Sequence, residues 1–547
     1  MSFVRVRKFS GLTHCYTPSF YPPLVCPNKA KTDISMPENL GNLVWTLCYM
    51  AVLLGLSLYG LHRYVIVYLY LKNKKNIPQP ASQFEELPRI TVQLPIFNEL
   101  YVVERLLESV AKLEYPRELL DVQVLDDSTD ETRELAEKLV RDLQKTGLDI
   151  VHIHRTDRTG FKAGALENGL KTSKGEYILI LDADFVPTPD VLLKTVHFFT
   201  SPNVGMIQTR WGHLNRTHSL LTRVQAMFLD GHLLLEQTGR NRSGRFINFN
   251  GTAGVWRKSC IVDAGGWHHD TLTEDLDLSY RAQLKGWNFV FLPDLVTPAE
   301  LPVDMNGFKS QQHRWTKGSI QTCRKLLPAV WRSSLPLKVK IEGTVHLTSN
   351  YAFLLLFCIC ILLHPTTGGM ASVAIEGGGA QSWFRTILID IPIFITGSFP
   401  AIVFYIVSQR ELYPRSWLRE ILYLPALLAL TIGLAVNNAW AVIQGMAGAT
   451  GEFTRTPKYG IHSQSNSWKK AKYSPMKTIL PFIEIGFAAY FNYFLINEIT
   501  HRNWFAVPFL VLFAAGFTYV AICSLAQWFP GLRAPWKTPE DSVSANV

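Results

Sequence analysis

Charged residues are scarce in this chain, which argues against a wholly soluble protein. Only 18% of the 547 residues are Asp, Glu, Lys or Arg, whereas 48% are hydrophobic. A soluble protein of this length usually carries more charge. The hydrophobic excess is also uneven, because it lies near residue 50 and again after residue 344. This profile predicts a polar domain inserted between membrane spans.

The chain also has few cysteines, and their spacing favours neither a metal site nor a disulfide-rich fold. The eight cysteines show no metal-ligand spacing and no small disulfide framework. Cys15 and Cys26 could pair if the N-terminal tail is extracytoplasmic, or could be two free thiols. We also expect no cleavable signal peptide, because the first long apolar run starts about forty residues in and is too long for one.

A nucleic-acid-binding module is likewise missing from the sequence, although the formal net charge is +10. Such binding needs a basic stripe with base-stacking aromatic residues or a known module, and we find neither. The basic residues instead fit the cytoplasmic bias of Lys and Arg beside membrane spans, together with a site for an anionic donor. We therefore expect membrane lipids, and not nucleic acid, among the partners.

The N-terminal part of the chain is predicted to anchor the polar domain. Residues 1–40 form a tail, residues 41–71 the first transmembrane helix and residues 72–88 a linker. Three lysines directly follow the helix, and positive charge favours the cytoplasmic side of a membrane. We therefore expect the polar domain to be cytoplasmic.

Residues 89–305 are predicted to form an α/β domain with a mostly parallel sheet. Short β-branched runs alternate there with helical patterns, which is typical of strands joined by crossover helices. The predicted strands cover 89–95, 122–125, 150–154, 177–181 and 204–209, and the predicted helices cover 99–113, 130–145 and 162–172. Ligands of such sheets bind beyond the carboxyl ends of the strands. Acidic residues at those ends are therefore candidates for function.

The C-terminal half is predicted to return to the membrane. After interfacial helices at 306–343, apolar segments of about 20 residues follow at 344–364, 386–408, 418–446, 477–496 and 503–528. If all five crossed, the lysine-rich loop 447–476 would lie outside, against its positive charge. We therefore predict that 418–446, which carries a proline and two asparagines, is interfacial or re-entrant. Two spans then lie within 344–408 and two within 477–528, with the N-terminus outside and the tail 529–547 in the cytoplasm.

Two pairs of acidic residues and one lysine stand at the ends of predicted strands or the start of a helix. Asp126 or Asp127 could hydrogen-bond a nucleotide base or ribose, or simply cap the next helix. Asp182 and Asp184 could hold Mg²⁺ or Mn²⁺, since these ions prefer hard oxygen ligands. An Asp-x-Asp triplet also recurs by chance, and its position after four apolar strand residues is what favours the metal. Lys162 suits phosphate recognition at a helix N-terminus, or is a solvated surface lysine.

A third acidic pair begins a predicted amphipathic helix. Glu274 and Asp275 stand at its first turn, where acids are common for electrostatic reasons. Thr271 also has capping-box spacing to Glu274, which gives a purely structural explanation. The functional interpretation makes Asp275 a general base for an acceptor hydroxyl.

The last motif, Gln311-Gln-His-Arg-Trp, combines an amide, a guanidinium and an indole just before the membrane. Trp315 can stack on a sugar face, and Arg314 can neutralise a departing diphosphate. The structural alternative is an aromatic anchor at the membrane interface with basic neighbours.

Taken together, the Asp-Asp, Asp-x-Asp, Thr-Glu-Asp and Gln-x-x-Arg-Trp motifs resemble the family 2 glycosyltransferases of the cellulose synthase superfamily. The resemblance covers roughly residues 89–475 and is closest to the cellulose synthase-like group of mannan and glucan synthases. It implies a nucleotide-sugar-binding domain of the GT-A type, inserted in an α-helical transmembrane bundle. It also implies that Asn250 and Gly251 shape the acceptor pocket and that 447–476 is a gating loop, with Lys458 at the donor.

These expectations combine into a processive, inverting hexosyltransferase that makes a β-linked glucan or mannan and passes it into the membrane. UDP-glucose and GDP-mannose are both open as donors, and the growing polysaccharide is the acceptor. Asp275, Glu274 and Arg314 are the expected catalytic residues; Asp126, Asp127, Lys162, Asp182 and Lys458 bind the donor; Gln311, Trp315, Asn250 and Gly251 bind the acceptor. The alternatives are transfer of one sugar to a lipid carrier, or a non-enzymatic pore or scaffold.

Overall fold

A computed structural model describes residues 36–376, 399–448, 455–461, 479–502, 504 and 506–528. The predicted tails lie almost wholly outside these residues, and Cys15 and Cys26 lie outside them as well. The same holds for most of the predicted gating loop and for the first part of the predicted segment 386–408. The described residues nevertheless include every residue predicted for the active site.

The centre of the polar domain is one seven-stranded mixed sheet. Its strands are β1 (Ile90–Ile96), β2 (Leu120–Asp126), β3 (Asp149–His154), β4 (Tyr177–Ile180), β5 (Val204–His213), β6 (Gly254–Arg257) and β7 (Asn288–Ala299), in the order β3-β2-β1-β4-β6-β5-β7. Neighbouring strands are parallel except around β6, which is antiparallel to both β4 and β5. All five predicted strands are present, whereas β6 and β7 were not predicted.

Twelve α-helices lie in the described stretch 36–376. They are α1 (Met36–Asn73), α2 (Val103–Ala111), α3 (Thr132–Gln144), α4 (Phe161–Thr172), α5 (Val191–Val196), α6 (Leu220–Asp230), α7 (Gln237–Arg242), α8 (Lys258–Asp263), α9 (Glu274–Leu284), α10 (Met305–Arg332), α11 (Leu337–Thr348) and α12 (Tyr351–Glu376). A π-helical turn, Gly231–Glu236, joins α6 to α7. Six further helices are described after these: α13 (Phe399–Leu412), α14 (Trp417–Glu420), α15 (Leu424–Gly433), α16 (Ala435–Met446), α17 (Leu480–Thr500) and α18 (Val507–Trp528).

The sheet is buried on both faces, as expected for a mostly parallel sheet covered by helices, and even the polar side chains of β1 and β2 are buried. One face packs against α2, α3 and α5 through residues such as Leu94, Leu106 and Val140. The other face packs against α4, α8 and α9, with Trp256 and Trp267 at its centre. Both layers leave the carboxyl ends of the parallel strands uncovered by their own helices.

Among the described residues, two helical segments are long and apolar enough to cross a membrane, Leu47–Asn73 and Val507–Gln527. Two bent pairs raise the number to four if each pair is one span. These pairs are Leu337–Thr348 with Tyr351–Leu363, bent by 53°, and Trp417–Gly433 with Ala435–Met446, bent by 45°. The second pair is the segment predicted to be interfacial or re-entrant, and each bent pair is either a broken span or a re-entrant loop.

Helix α10 joins the polar domain to the apolar helices. Its Lys309 Nζ lies 2.5 Å from the Glu484 carboxylate of α17, and both side chains are buried. The Asn437 amide of α16 donates a hydrogen bond of 3.0 Å to the Lys309 carbonyl. Since the motif that begins at Gln311 follows directly, these contacts fix its position relative to the apolar helices α16 and α17.

The packing of β1 predicts the cost of a cavity in the polar domain. Leu94 is fully buried at the centre of the sheet, so we expect Leu94→Ala to destabilise the domain by about 2–5 kcal/mol. Val151→Ala is the matched control, because Val151 is 45% exposed on the edge strand β3 and should cost less than about 1 kcal/mol. Thermal unfolding in detergent, followed by tryptophan fluorescence, measures both. Equal shifts in the two variants would contradict this packing.

Candidate active site

The carboxyl ends of β1, β4, β5 and β7 border a large cavity. It encloses about 1280 Å³ including its open mouth, and Arg455, Thr456 and Lys458 of the predicted gating loop form part of its wall. Every residue predicted for the site lines this cavity except Asp126. Residues that are up to about 330 positions apart in the sequence therefore share one compartment.

Asp126 and Asp127 have different surroundings, although they are adjacent. Asp126 is paired in the sheet between Ile96 and His154 and is fully buried. Its carboxylate accepts hydrogen bonds of 2.8 Å from His152 Nε2 and from the Ser128 amide. Burial alone would raise the pKa of Asp126, but these two partners hold it below the usual value.

Asp127 lines the cavity where Asp126 does not. Arg155 holds its carboxylate with two bonds, 2.8 Å from Nε and 2.6 Å from the terminal nitrogen. Neither aspartate caps the next helix, because α3 begins only at Thr132. Of the two alternatives for the donor contact, the geometry therefore favours Asp127.

Lys162 and Gly251 connect two of the predicted acids. Lys162 stands in the first turn of α4, and its ammonium group binds the Asp182 carboxylate and, at 2.9 Å, the Gly251 carbonyl. Gly251 has a φ of +80°, and a Cβ there would lie 3.1 Å from Asp275 Oδ2. A glycine is therefore needed both for the backbone conformation and for the space that Asp275 occupies.

The acids at the start of α9 face the cavity and do not form the capping box that Thr271 could have made. The helix has Thr273 at its N-cap without a side-chain capping bond, and Thr271 Oγ1 has no hydrogen-bond partner among the described residues. Burial and the neighbouring Glu274 raise the pKa of Asp275 to about 7. An aspartate with such a pKa can accept a proton near neutral pH.

Helix α10 supplies the opposite wall of the cavity. Gln311, Arg314 and Trp315 are three and four positions apart, so they share one helical face, and all three line the cavity. Burial lowers the pKa of Arg314, while the carboxylates of Glu274 and Asp182 oppose that shift. The Trp315 ring lies 6.5 Å from the ring of Trp211, between centroids.

Two glutamates that the sequence analysis did not identify bind the described part of the predicted gating loop. Glu99 binds Arg455 through two bonds of 2.9 Å, and burial raises the pKa of Glu99 to about 7 although Arg455 opposes it. Glu300 accepts hydrogen bonds from the amides of Tyr459 and Ile461, at 2.9 and 3.0 Å. Glu300 follows the end of β7, so recognition of that strand would have drawn attention to it.

The same loop reaches the second aspartate of the Asp-x-Asp motif. Lys458 Nζ lies 2.7 Å from Asp184 Oδ2, and the Glu300 amide donates to the same oxygen at 3.2 Å. Both aspartates of the motif therefore face a lysine, Asp182 through Lys162 and Asp184 through Lys458. This end of β4 attracts positive charge.

A second acidic group lies outside the cavity and is fully used in ion pairs. His268, Asp270 and Asp277 come close enough to hold a metal ion. Lys325 Nζ, however, lies 2.8 Å from both Asp270 Oδ1 and Asp277 Oδ1. The group therefore joins α9 to α10 as an ion-pair network.

Comparison with known proteins agrees with this architecture. Residues 88–318 match a family model described as glycosyltransferase like family 2. Glucomannan 4-beta-mannosyltransferase 2 of Arabidopsis thaliana is 33% identical over 472 residues, which is 82% of this chain and 84% of that protein. Glucomannan 4-beta-mannosyltransferase 1 of Oryza sativa subsp. japonica is 34% identical over 75% of this chain and 78% of that protein.

Among solved structures, the mannosyltransferase PcManGT from Pyrobaculum calidifontis, in complex with GDP-Man and Mn²⁺, is 20% identical. The match covers 67% of this chain and 99% of that chain, with a TM-score of 0.44. The sequence relatives are the stronger finding, because they extend over most of both chains. The chain belongs to the family 2 glycosyltransferases, in the cellulose synthase-like group that includes the glucomannan 4-beta-mannosyltransferases, and it is a hexosyltransferase.

Proposed function

We propose that the protein polymerises mannose from GDP-mannose into a β-linked mannan and passes the product into the membrane. The observation that carries the proposal is that Asp275, Asp182 and Arg314 line one cavity beside Trp315. The choice of mannose is supported by the names of the relatives, two of which are 33% and 34% identical over most of their length. GDP-mannose is an activated form of mannose, and its diphosphate suits the positive charges of this site.

In this mechanism Asp275 is the general base. Its carboxylate takes the proton from the terminal hydroxyl of the growing chain, and the hydroxyl oxygen attacks the anomeric carbon of the donor. The bond from that carbon to the diphosphate breaks as the new bond forms on the opposite face. Because one displacement occurs and no side chain of the protein is the nucleophile, an α-linked donor gives a β-linkage.

The leaving diphosphate meets the positive charges on the other side of the cavity. Arg314 and Lys162 neutralise the charge that develops on it, and Asp127 positions the nucleoside. In the proposal, the docked loop brings Lys458 to the same phosphates. Gln311, Trp315, Asn250 and Gly251 hold the acceptor sugar at the wall made by α10 and the loop before β6.

Asp182 and Asp184 are suited to a divalent cation. Both offer hard carboxylate oxygens at the end of one strand, and Lys162 and Lys458 show that positive charge is accommodated beside each of them. Mg²⁺ or Mn²⁺ held by these two carboxylates would supply charge stabilisation to the donor diphosphate. The chain's own lysines and Arg314 supply the remaining positive charge.

The proposal also includes a multi-pass arrangement with the catalytic domain in the cytoplasm, where sugar nucleotides are made. It keeps the domain boundaries predicted from the sequence. It is supported by the apolar helices Leu47–Asn73 and Val507–Gln527 and by the two bent pairs. Since α10 carries Trp315 and contacts α16 and α17, an acceptor on Trp315 would leave the cavity toward these helices.

The donor and the metal are tested together with purified protein in detergent. We expect labelled GDP-mannose with Mn²⁺ or Mg²⁺ to give a polymer that a β-mannanase digests, and UDP-glucose to give at most a minor product. Excess EDTA should abolish incorporation, and added Mn²⁺ should restore it. A lipid-soluble single-sugar product would instead support transfer to a lipid carrier.

The role of Asp275 predicts a large loss of turnover without a loss of donor binding. Asp275→Asn should lower kcat by about 10²–10⁴-fold, the contribution of a general base, with the Kd for GDP-mannose nearly unchanged. Asp270→Asn is the control, because Asp270 is a mostly exposed acid on the same segment. Normal polymer synthesis by Asp275→Asn would rule out this assignment.

The raised pKa of Asp275 predicts the acid limb of the pH profile. A base must be deprotonated, so kcat/KM should fall about tenfold per pH unit below pH 7 and level off above it. Glu99 also has a raised pKa, and Glu99→Gln separates the two groups. If the acid limb of the pH profile reflects Asp275, it persists in the Glu99→Gln variant. Its disappearance in that variant would assign the limb to Glu99.

A further inference from the structure

Two side chains at the end of β5 face the cavity and were not part of the predicted site. Residues two apart on a strand point to the same side, and both Trp211 and His213 line the cavity. Trp211 packs with Trp315, Leu229 and Leu301 in one apolar cluster. This end of the cavity is therefore aromatic and apolar, unlike the charged end around Lys162 and Asp182.

His213 is held in place by a buried carboxylate. Its Nε2 lies 3.0 Å from Oδ1 of Asp230, which is fully buried on α6. Burial alone would raise the pKa of Asp230, but His213 and Arg216 lower it to about 2. A charged carboxylate can only accept hydrogen bonds, so Nε2 carries the proton and donates. Whenever the ring is neutral, Nδ1 is therefore an acceptor, and no described residue forms a hydrogen bond with it.

Asp230 does not depend on His213 for its own position. Arg216 binds its second oxygen at 2.7 Å and also bonds Gln409 and Glu420 at 3.0 Å each. These partners belong to the segment before α6 and to α13 and α14, so the carboxylate is fixed where the polar domain meets the apolar helices. The imidazole is therefore attached to a rigid support, and its position in the cavity is defined.

We propose that His213 is an acceptor-binding residue, whose Nδ1 accepts a hydrogen bond from a sugar hydroxyl of the growing chain, and that Asp230 is a positioning residue for it. The proposal rests on the proposed function and extends it to the sugar that follows the terminal one. Aromatic faces beside a hydrogen-bonding side chain suit a sugar, which has apolar faces and hydroxyl edges. A phosphate does not suit this end, since His213 offers it only an acceptor.

Two amide substitutions separate contact with sugar from structural support. His213→Gln places an amide where Nε2 was, so it can keep the bond to Asp230 but loses the Nδ1 acceptor. His213→Asn places its amide near the Nδ1 position and loses the bond to Asp230. A merely structural histidine would be replaced better by Gln, and an acceptor-binding histidine better by Asn.

The measurement is the fate of labelled mannose from GDP-mannose, in polymer or as free sugar. If the growing polysaccharide is bound more weakly, more of the donor is hydrolysed to free mannose and the polymer dissociates at a shorter length. We expect His213→Gln to raise the ratio of free to polymeric mannose, and to shorten the polymer, by about tenfold, the effect of losing one hydrogen bond. His213→Asn should recover part of this loss. The KM for GDP-mannose should change less than twofold in both variants.

Asp230→Asn tests the positioning role. An asparagine amide can donate to Nε2 and so favours the tautomer that has its proton on Nδ1, which removes the acceptor. We expect the same shift toward free mannose with an unchanged donor KM, and thermal unfolding of each variant reports any loss of folding.

The outcomes distinguish this proposal from the one it rests on. Polymer of normal length from His213→Gln would overturn the role of His213 while leaving the proposed function intact. A higher donor KM in His213→Gln would place the residue at the donor and also overturn it. Wild-type protein that produces neither polymer nor free mannose would overturn both.

Discussion

The active site depends on balancing several buried carboxylates with a small number of cations. An isolated charge in a protein interior costs several kcal/mol, yet Asp182, Asp184 and Asp275 share one cavity. Lys162 lies against Asp182, and Lys458 against Asp184. Asp275 instead has a raised pKa, because it is buried and lies beside Glu274. The site thus pairs the two carboxylates of the Asp-x-Asp motif with lysines and leaves Asp275 ready to take a proton.

Much of this site could be predicted because parallel strands bring their carboxyl ends to one edge. Asp182 and Asp184 were found from four apolar residues followed by acids, and that rule does not require knowledge of distant parts of the chain. Asp126 shows where this rule fails. The register of the sheet places Asp126 between Ile96 and His154, whereas Asp127, one residue later, lines the cavity. Glu300 was missed because β7, which it follows, was not recognised, and its partners in the predicted gating loop lie about 160 residues away. Strand β6 escaped detection because its sequence, Gly-Val-Trp-Arg, contains a glycine, an arginine and only one β-branched residue.

The number of membrane spans is the feature that the sequence determined least. Hydropathy measures the transfer of a helix into lipid, but a helix packed against other helices also contains polar residues. The helix α17 shows this, because Glu484 interrupts its apolar run and pairs with Lys309 of α10 inside the protein. Similarly, the asparagines that argued against a crossing at 418–446 bond within the protein, where Asn437 reaches the Lys309 carbonyl. Polar residues in such helices therefore reflect contacts with α10, and they do not by themselves show whether the helix crosses a membrane.

Helix α10 links the active site mechanically to the apolar helices toward which the product would leave. Lys309 and Arg314 are five residues apart, which is about 7.5 Å along a helix. One end of that interval is fixed to α17 by a buried ion pair, and the other faces the acids of the cavity. Arg324 extends the attachment by binding the Gly445 carbonyl of α16 at 3.0 Å. A shift of α16 or α17 would therefore move Arg314 and Trp315 together, so neither side chain can be repositioned independently of these apolar helices.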